Sequence, residues 1–257
     1  MDLVSVIAPV YNNHRTLKET LDSIVQQDYR PLEIVIVDDA SDDESFAFAK
    51  AYSLQYQQHD TKFILHQNLK NSGAGVTRNK ALGLATGRYM AFLDADDIWK
   101  PEKLTKQINA LKLSGKSVCY SAYEIFEEDY LKPIAIHNVF PELTFEKLHK
   151  TNYLGNLTGI YDASLIGKVK ISSIRKRQDW AMWLDVLKIA GPAVGIQEPL
   201  ASYRLGAGLS ASKLDLIKYN YSVYRTHLGY SIFKSCWYMT LFFYEQFFIK
   251  NAMRKTI

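Results

Sequence analysis

Short apolar runs, each closed by a polar or acidic cluster, alternate along the first hundred positions with segments that repeat their apolar residues every three or four places. Leu3 to Val10 ends in Pro9, Val10, Tyr11 and Asn12. Leu32 to Val37 ends in Asp38 and Asp39, followed by Ser41, Asp42 and Asp43. Lys62 to His66 is a third run, and Tyr89 to Leu93 a fourth that stops at Asp94, Asp96 and Asp97. Continuous apolar runs of this length suit strands buried on both faces. Between them, Asn13 can cap a helix with Leu17, Leu21, Ile24 and Val25 on one face, and Pro31 follows its end. A polar helix covers Glu44 to Gln57, and a third helix opens after Asn71-Ser-Gly-Ala-Gly. This alternation predicts an α/β fold with a doubly wound, mostly parallel sheet, in which ligands sit at the carboxyl ends of the strands.

Further on, Lys103 to Leu113 predicts a helix with Leu104, Ile108 and Leu111 inward, and Ser117 to Tyr123 a strand. Glu124 to Lys150 is mixed, with a turn at Glu127 to Asp129, a short strand near Ile134 and Ile136, and a brief helix from Thr144 to His149. A helix from Trp180 buries Trp183, Leu184, Leu187 and Ile189, and Val194 to Arg204 is the last core strand. From Lys213 the composition turns aromatic, with Tyr219, Tyr224, Trp237, Phe242, Phe247 and Phe248 among basic residues. Its longest uncharged run, Ser235 to Tyr244, falls well short of the roughly 20 residues that a membrane-spanning helix needs. Aromatic and basic residues together suit a helix lying in the headgroup region of a membrane; packing on the rest of the chain or on a second copy in a homodimer suits them equally.

The 257 residues suffice for a full core. A net charge of +4, from 31 basic and 27 acidic residues, is too mild for a nucleic-acid partner. The two cysteines, Cys119 and Cys236, lack metal or redox spacing and read as buried thiols of a reducing compartment. Met1 is followed by an acidic residue and a strand, without the basic region and cleavage site of a secretory signal, so the cytoplasm is the expected compartment. The Asn156-Leu-Thr sequon is discounted on the same ground.

Asp94, Asp96 and Asp97 crowd three carboxylates into four positions. Two explanations stand: a hard divalent cation such as Mn²⁺ or Mg²⁺, or Asp96 and Asp97 capping the next helix. Gly73 and Gly75 at a helix start let backbone amides approach an anion, with Arg78 one turn on to meet phosphate or base; a loop and a close helix contact would need the same glycines. Asp179, at the first turn of the helix of Trp180, is either a cap or a reacting group. The neighbouring Arg175, Lys176 and Arg177 suit solvent or an anionic ligand. His137 and His149 stand alone and read as surface or packing histidines.

Pro9-Val-Tyr-Asn, Val37-Asp-Asp-Ala-Ser-Asp-Asp, Gly73 through Asn79 and Leu93-Asp-Ala-Asp-Asp, in this order, resemble the family 2 glycosyltransferases over residues 3 to 205. The resemblance implies a GT-A catalytic domain over residues 1–212, its nucleotide-sugar half about 1–100 and its acceptor half about 101–212. Residues 213–257 follow as an aromatic, helical appendage. It implies a UDP-sugar donor bound with the help of Pro9 and Asn12, with Tyr11 against the nucleobase, Asp39 on its polar edge and Asp94 near the ribose. Asp96 falls at the metal that bridges the diphosphate, and Arg78 and Arg204 at the donor. An aromatic face gives a base a stacking surface, and a carboxylate can accept from an imide N–H. Relatives carry Glu-Asp before the later helix, the Asp being general base; here Gln178 replaces Glu and Asp179 stays, so Asp179 is the expected base of an inverting displacement.

Relatives also carry a histidine after Tyr-Arg, where this chain has Gly206, Ala207 and Gly208. That glycine-rich stretch suits a closing segment, with Ser210 or Ser212 meeting phosphate, or a plain linker. The acceptor implied is a glycan, lipid-linked in surface-polysaccharide synthesis, which would put the enzyme at the inner face of the cell membrane. Two other functions fit less well. An inert nucleotide-sugar-binding scaffold does not explain why both Asp96 and Asp179 are present, and a nucleotidyltransferase would carry its glycine-rich loop after the first strand.

Overall fold

A computed structural model describes residues 1–206 and 213–257, the side chains of 213–216 excepted. The amino-terminal half is strand and helix in alternation: β1 (Val4–Val10), α1 (His14–Val25), β2 (Leu32–Asp38), α2 (Ser45–Tyr56), β3 (Thr61–Gln67), α3 (Ala74–Leu84) and β4 (Tyr89–Phe92). These strands pair in parallel in the order β3-β2-β1-β4. Alternate side chains of β1 and β2 feed two cores. Val6, Ala8, Ile34 and Ile36 pack with α1 and α2, whereas Ile7, Val35 and Val37 pack with α3 on the other face. Burial on both faces is why these strands read as unbroken apolar runs.

Beyond β4 the sheet becomes mixed. β5 (Ile98–Trp99) and α4 (Lys103–Ser114) lead to β6 (Val118–Phe126), β7 (Ala135–His137), β8 (Glu142–Leu143), α5 (Phe145–Leu148), β9 (Ile160–Asp162), α6 (Ala163–Ile166), α7 (Gln178–Ala190) and β10 (Ala193–Arg204). β9 joins β4 to β6, antiparallel to both. β10 runs parallel to β6 and antiparallel to β5 and β8; its register with β6 shifts on either side of Pro199, which has no N–H to give the ladder.

The carboxyl-terminal segment returns to this sheet. α8 (Lys213–Ser222) and a π-helical turn at Val223–His227 bury Tyr224 against Trp180, with ring centroids 5.6 Å apart. α9 (Ile232–Tyr244) and a second π-helical turn, Glu245–Lys250, lead through a 3₁₀ turn to β11 (Arg254–Thr256), which extends the sheet edge by pairing antiparallel with β7. Glu245 is buried, paired with Lys147 and accepting from Tyr153 Oη at 2.7 Å.

Four local expectations need correction. Cys119 is buried as expected, but Cys236 is exposed on α9. Asn13 precedes α1 but does not cap it, because its Oδ1 turns back to accept from the Tyr11 N–H at 3.2 Å. Asp96 and Asp97 cap no helix: they form a turn into β5, and α4 starts only at Lys103. Ile189, expected inside, is 60% exposed on the last turn of α7.

Candidate active site

The loops after β1 and β2 are clasped to each other. Asn12, at φ 53°, donates its N–H to Ser41 Oγ at 3.0 Å and accepts from Asp42 N–H at 3.1 Å, while Asn13 N–H donates to Ser45 Oγ at 2.9 Å. Beside this clasp Pro9 pairs with Val37 in the sheet and Tyr11 leaves 46% of its surface open at the rim. Asp38 is fully buried and holds its own turn, accepting from Ser41 N–H and Oγ and from Gln67 Nε2. Asp39 reaches the other way. Its Oδ1 accepts from Asn68 Nδ2 at 2.8 Å and Ser72 N–H at 2.9 Å, and its Oδ2 from Gly73 N–H at 2.8 Å. Asp39 therefore moors the glycine loop to β2 and retains about one unused acceptor direction.

Gly73 adopts φ 86°, which favours glycine, and Gly75 is needed for a different reason: a Cβ there would lie 2.6 Å from Gln178 Nε2. The glycines thus bring α3 against the start of α7. On α3, Arg78 is nearly buried and pairs with Asp94 Oδ1 at 2.5 Å; its Nε has no partner among the described residues. Burial works against the Arg78 charge, but Asp94, with Asp179 and Asp96 beyond it, more than offsets this and raises its pKa.

The turn after β4 keeps its carboxylates close. Burial and then the charge of Asp94 push the Asp96 carboxyl up to about 6. Asp97 is likewise raised well above the usual carboxylate range, by burial and then by the charges of Asp96 and Asp94, and its Oδ1 accepts from Arg204 N–H at 3.1 Å. Arg204 braces this turn, donating from Nε to Asp96 O at 3.0 Å and pairing with Glu19 at 2.5 Å. Among the described residues no three His, Cys, Asp or Glu side chains form a preformed metal cage. The Asp96 carboxyl beside Asp94 nonetheless fits a divalent cation, since hard oxygen donors suit such an ion and its positive charge would favour the ionised form that burial and Asp94 disfavour.

Asp179 faces Asp94 across a cleft of about 530 Å³, lined also by Arg78, Asp97, Tyr123, His137, Asn152, Asn156, Lys176, Arg177, Tyr203 and Lys250. Its helix starts from Arg177 in the left-handed region (φ 64°) with no side-chain cap, and Asp179 Oδ2 instead accepts from Asn152 Nδ2 at 2.8 Å. Lys250, from the far end of the chain, donates to the carbonyl of that same Asn152. Burial and the charge of Arg177, opposed by Asp179, depress Lys250 to about 8. Asn152, Lys250, Tyr123, Tyr203 and Glu19 carry no sequence signal of a site.

Both histidines are packing residues. His137 stacks on Tyr123 with centroids 5.0 Å apart, His149 stands among Phe145, Tyr224, Tyr230 and Tyr238, and burial pushes each down to about 4. Asn156 is buried, so its sequon is closed to modification. Gly206, at φ 91°, ends the first described segment; Ala207, Gly208, Ser210 and Ser212 lie outside the described residues. No helix among the described residues is long and apolar enough to cross a membrane.

The model of the family described as "Glycosyl transferase family 2" matches residues 5–173. A Bacillus subtilis protein named as a glycosyltransferase of teichuronic acid biosynthesis, TuaG, is 34% identical over 99% of this chain and 98% of its own. The Escherichia coli protein WfgD, named a UDP-Glc:alpha-D-GlcNAc-diphosphoundecaprenol beta-1,3-glucosyltransferase, is 32% identical over 86% of this chain and 85% of its own. Among solved structures, S. aureus TarS 1-349 in complex with UDP-GlcNAc superposes with a TM-score of 0.72 at 19% identity, over 98% of this chain and 74% of that one. The Pyrobaculum calidifontis mannosyltransferase PcManGT, in complex with GDP-Man and Mn²⁺, does so with a TM-score of 0.63 at 17% identity, over 95% and 70%.

Proposed function

The chain belongs to glycosyl transferase family 2 and has the GT-A fold, and on that premise we propose that it moves one sugar from a UDP-sugar to a hydroxyl of a lipid-linked glycan, with inversion, in surface-polysaccharide synthesis. The observation that carries this reading is the shared cleft: Asp94, on the turn after β4, and Asp179, on α7, border one cavity although 85 positions separate them in the sequence (179 − 94). Tyr11, open at the rim, offers the uracil ring a stacking face, and the remaining acceptor direction of Asp39 suits the imide N–H. Asp96, with donor phosphates and water, would hold Mn²⁺ or Mg²⁺, which when bound neutralises charge on the departing diphosphate.

Asn152 occupies Asp179 Oδ2, and among the described residues Oδ1 has no hydrogen-bond partner. Oδ1 takes the acceptor hydroxyl's proton as that oxygen bonds the anomeric carbon; the bond from that carbon to the diphosphate oxygen breaks, and its electron pair leaves with UDP. The acceptor printed in the name of WfgD supports a lipid-linked substrate. So does the outer face of α9 and the turn after it, where Phe233 (88% exposed), Trp237 (63%) and Phe248 (68%) are open to solvent along with Lys234, a combination suited to an anionic lipid surface.

Asp179→Asn is the direct test: UDP affinity should stay within about twofold while transfer from UDP-sugars falls by 10²–10⁴-fold. Full transfer by that variant would remove Asp179 as base. For the lipid contact, wild type should sediment with phosphatidylglycerol vesicles and the Phe233→Ser, Trp237→Ser double variant should not; equal sedimentation would exclude this face.

A further inference from the structure

Three cations beside Asp179 have no task in the reaction just described. Lys176 and Arg177 stand just before α7 and Lys250 comes from the opposite end of the chain, yet all border the cavity that holds Asp179. Each is positioned by the carboxyl-terminal segment. Arg177 Nε donates to Asn220 Oδ1 at 2.7 Å, Lys176 Nζ lies 5.3 Å from the ring centroid of Tyr219, and Lys250 is itself part of that segment. Lys250 is held on two sides: buried Glu245 anchors the start of its turn, and β11 fixes the chain just beyond it. Among the described residues none of the three has a carboxylate within ion-pair distance. Like charges gathered this closely repel: burial first and then the charge of Arg177 depress the Lys250 pKa, and Asp179 opposes them only in part.

We infer that Lys176, Arg177 and Lys250 form an anion subsite on the acceptor side of Asp179 that takes a phosphate group of the acceptor. The inference rests on the reaction proposed above, and the direction of that reaction decides which anion it is. In an inverting displacement the base and the acceptor approach the anomeric carbon from the face opposite the leaving diphosphate. Lys250 holds the carbonyl of Asn152, whose amide holds Asp179, so an anion at Lys250 lies with the base. One planar guanidinium and two ammonium groups match the charge and the several oxygens of a phosphate. The carboxyl-terminal segment thereby builds a wall for the acceptor's phosphate.

The experiment uses the full chain saturated with UDP and Mg²⁺, so that the donor side is filled, and titrates methyl diphosphate by calorimetry. Wild type should bind it, and Lys250→Gln and Lys176→Gln should each weaken it about tenfold while UDP affinity changes less than twofold. Partly exposed Lys176 keeps the test open should Lys250→Gln fail to fold. No methyl diphosphate binding to the UDP-loaded wild type, or undiminished binding in both variants, overturns the subsite and leaves the glycosyltransferase reading intact. Loss of affinity for UDP-glucuronate but not UDP-glucose, with methyl diphosphate unaffected, would give these cations to a donor carboxylate and equally overturn the proposal. Failure of UDP itself to bind wild type would overturn the underlying reaction.

Discussion

His149 joins the body of the protein to its carboxyl-terminal segment, and replacing it tests that junction without a substrate. Its ring lies 4.2 Å from Tyr238, 5.5 Å from Tyr224 and 5.6 Å from Tyr230 by centroids, 4% exposed, and its buried Nε2 has no partner among the described residues. Burial, aided by Lys234 and opposed by Glu146, depresses its pKa from 6.5 to about 4. The unfolded chain therefore takes up this proton first as pH falls. Stability from the neutral imidazole is complete above pH 6.5 and drains away between 6.5 and 4, to a total of about 3 kcal/mol at 1.36 kcal/mol for each pH unit. His149→Phe keeps a ring, removes the titration and removes an unsatisfied nitrogen worth about 1–3 kcal/mol. In urea titrations followed by tryptophan fluorescence, the variant should gain about 1 kcal/mol at pH 8. Its advantage should widen to about 3–4 kcal/mol near pH 4.5, where the remaining slope of the variant includes the similarly depressed His137. A stability difference that stays constant from pH 8 to 4.5 would refute the burial of a neutral His149 between the two segments.

Three further outcomes are expected. Asp96→Ala should abolish the stabilisation of the UDP complex by Mn²⁺, seen as a thermal shift that no longer responds to the metal; an unchanged metal response would take Asp96 out of the cation site. Asn152→Ala should lower turnover about 10- to 100-fold by freeing Asp179 Oδ2, and should cost nothing further in the Asp179→Asn background, a non-additivity that a merely structural asparagine would not give. Gly195→Ala would set a Cβ 1.9 Å from the carbonyl oxygen of Phe140 and should destabilise the protein by about 3 kcal/mol in urea, against near-neutrality for Gly83→Ala, whose Cβ meets nothing within 4 Å.

The amino-terminal half was legible because physics writes it redundantly. Buried parallel strands read as apolar runs, and the acids that close them mark the sheet edge where ligands bind. Asp38 serves its own turn, as carboxylates at strand ends commonly do by accepting from nearby amides. Asn152 and Lys250 were not legible: each acquires its role from a partner remote in sequence, through one hydrogen bond that no local pattern encodes. β11 was not legible because Arg254-Lys255-Thr256 is a polar edge strand, exposed at every position and without apolar alternation. Ile189 misled because it continued an apolar run one turn past the point where α7 leaves the core.

The change from parallel to mixed pairing at β4 has an evolutionary corollary. Apart from Arg204 at the end of β10, the groups assigned to the nucleotide hang from β1, β2, α3 and the turn after β4, whereas Asn152, Asp179 and the three cations hang from the later, mixed side and the chain's last fifty residues. Within the sheet the two sets meet at a seam where β4 pairs with β9 over three positions, and contacts such as Arg88 with Asp162 and Asn79 with Ile171 tie them beside it. Recombination between relatives at that seam would pair an inherited donor preference with a new recipient, a means of diversifying polymers without redesigning the reaction.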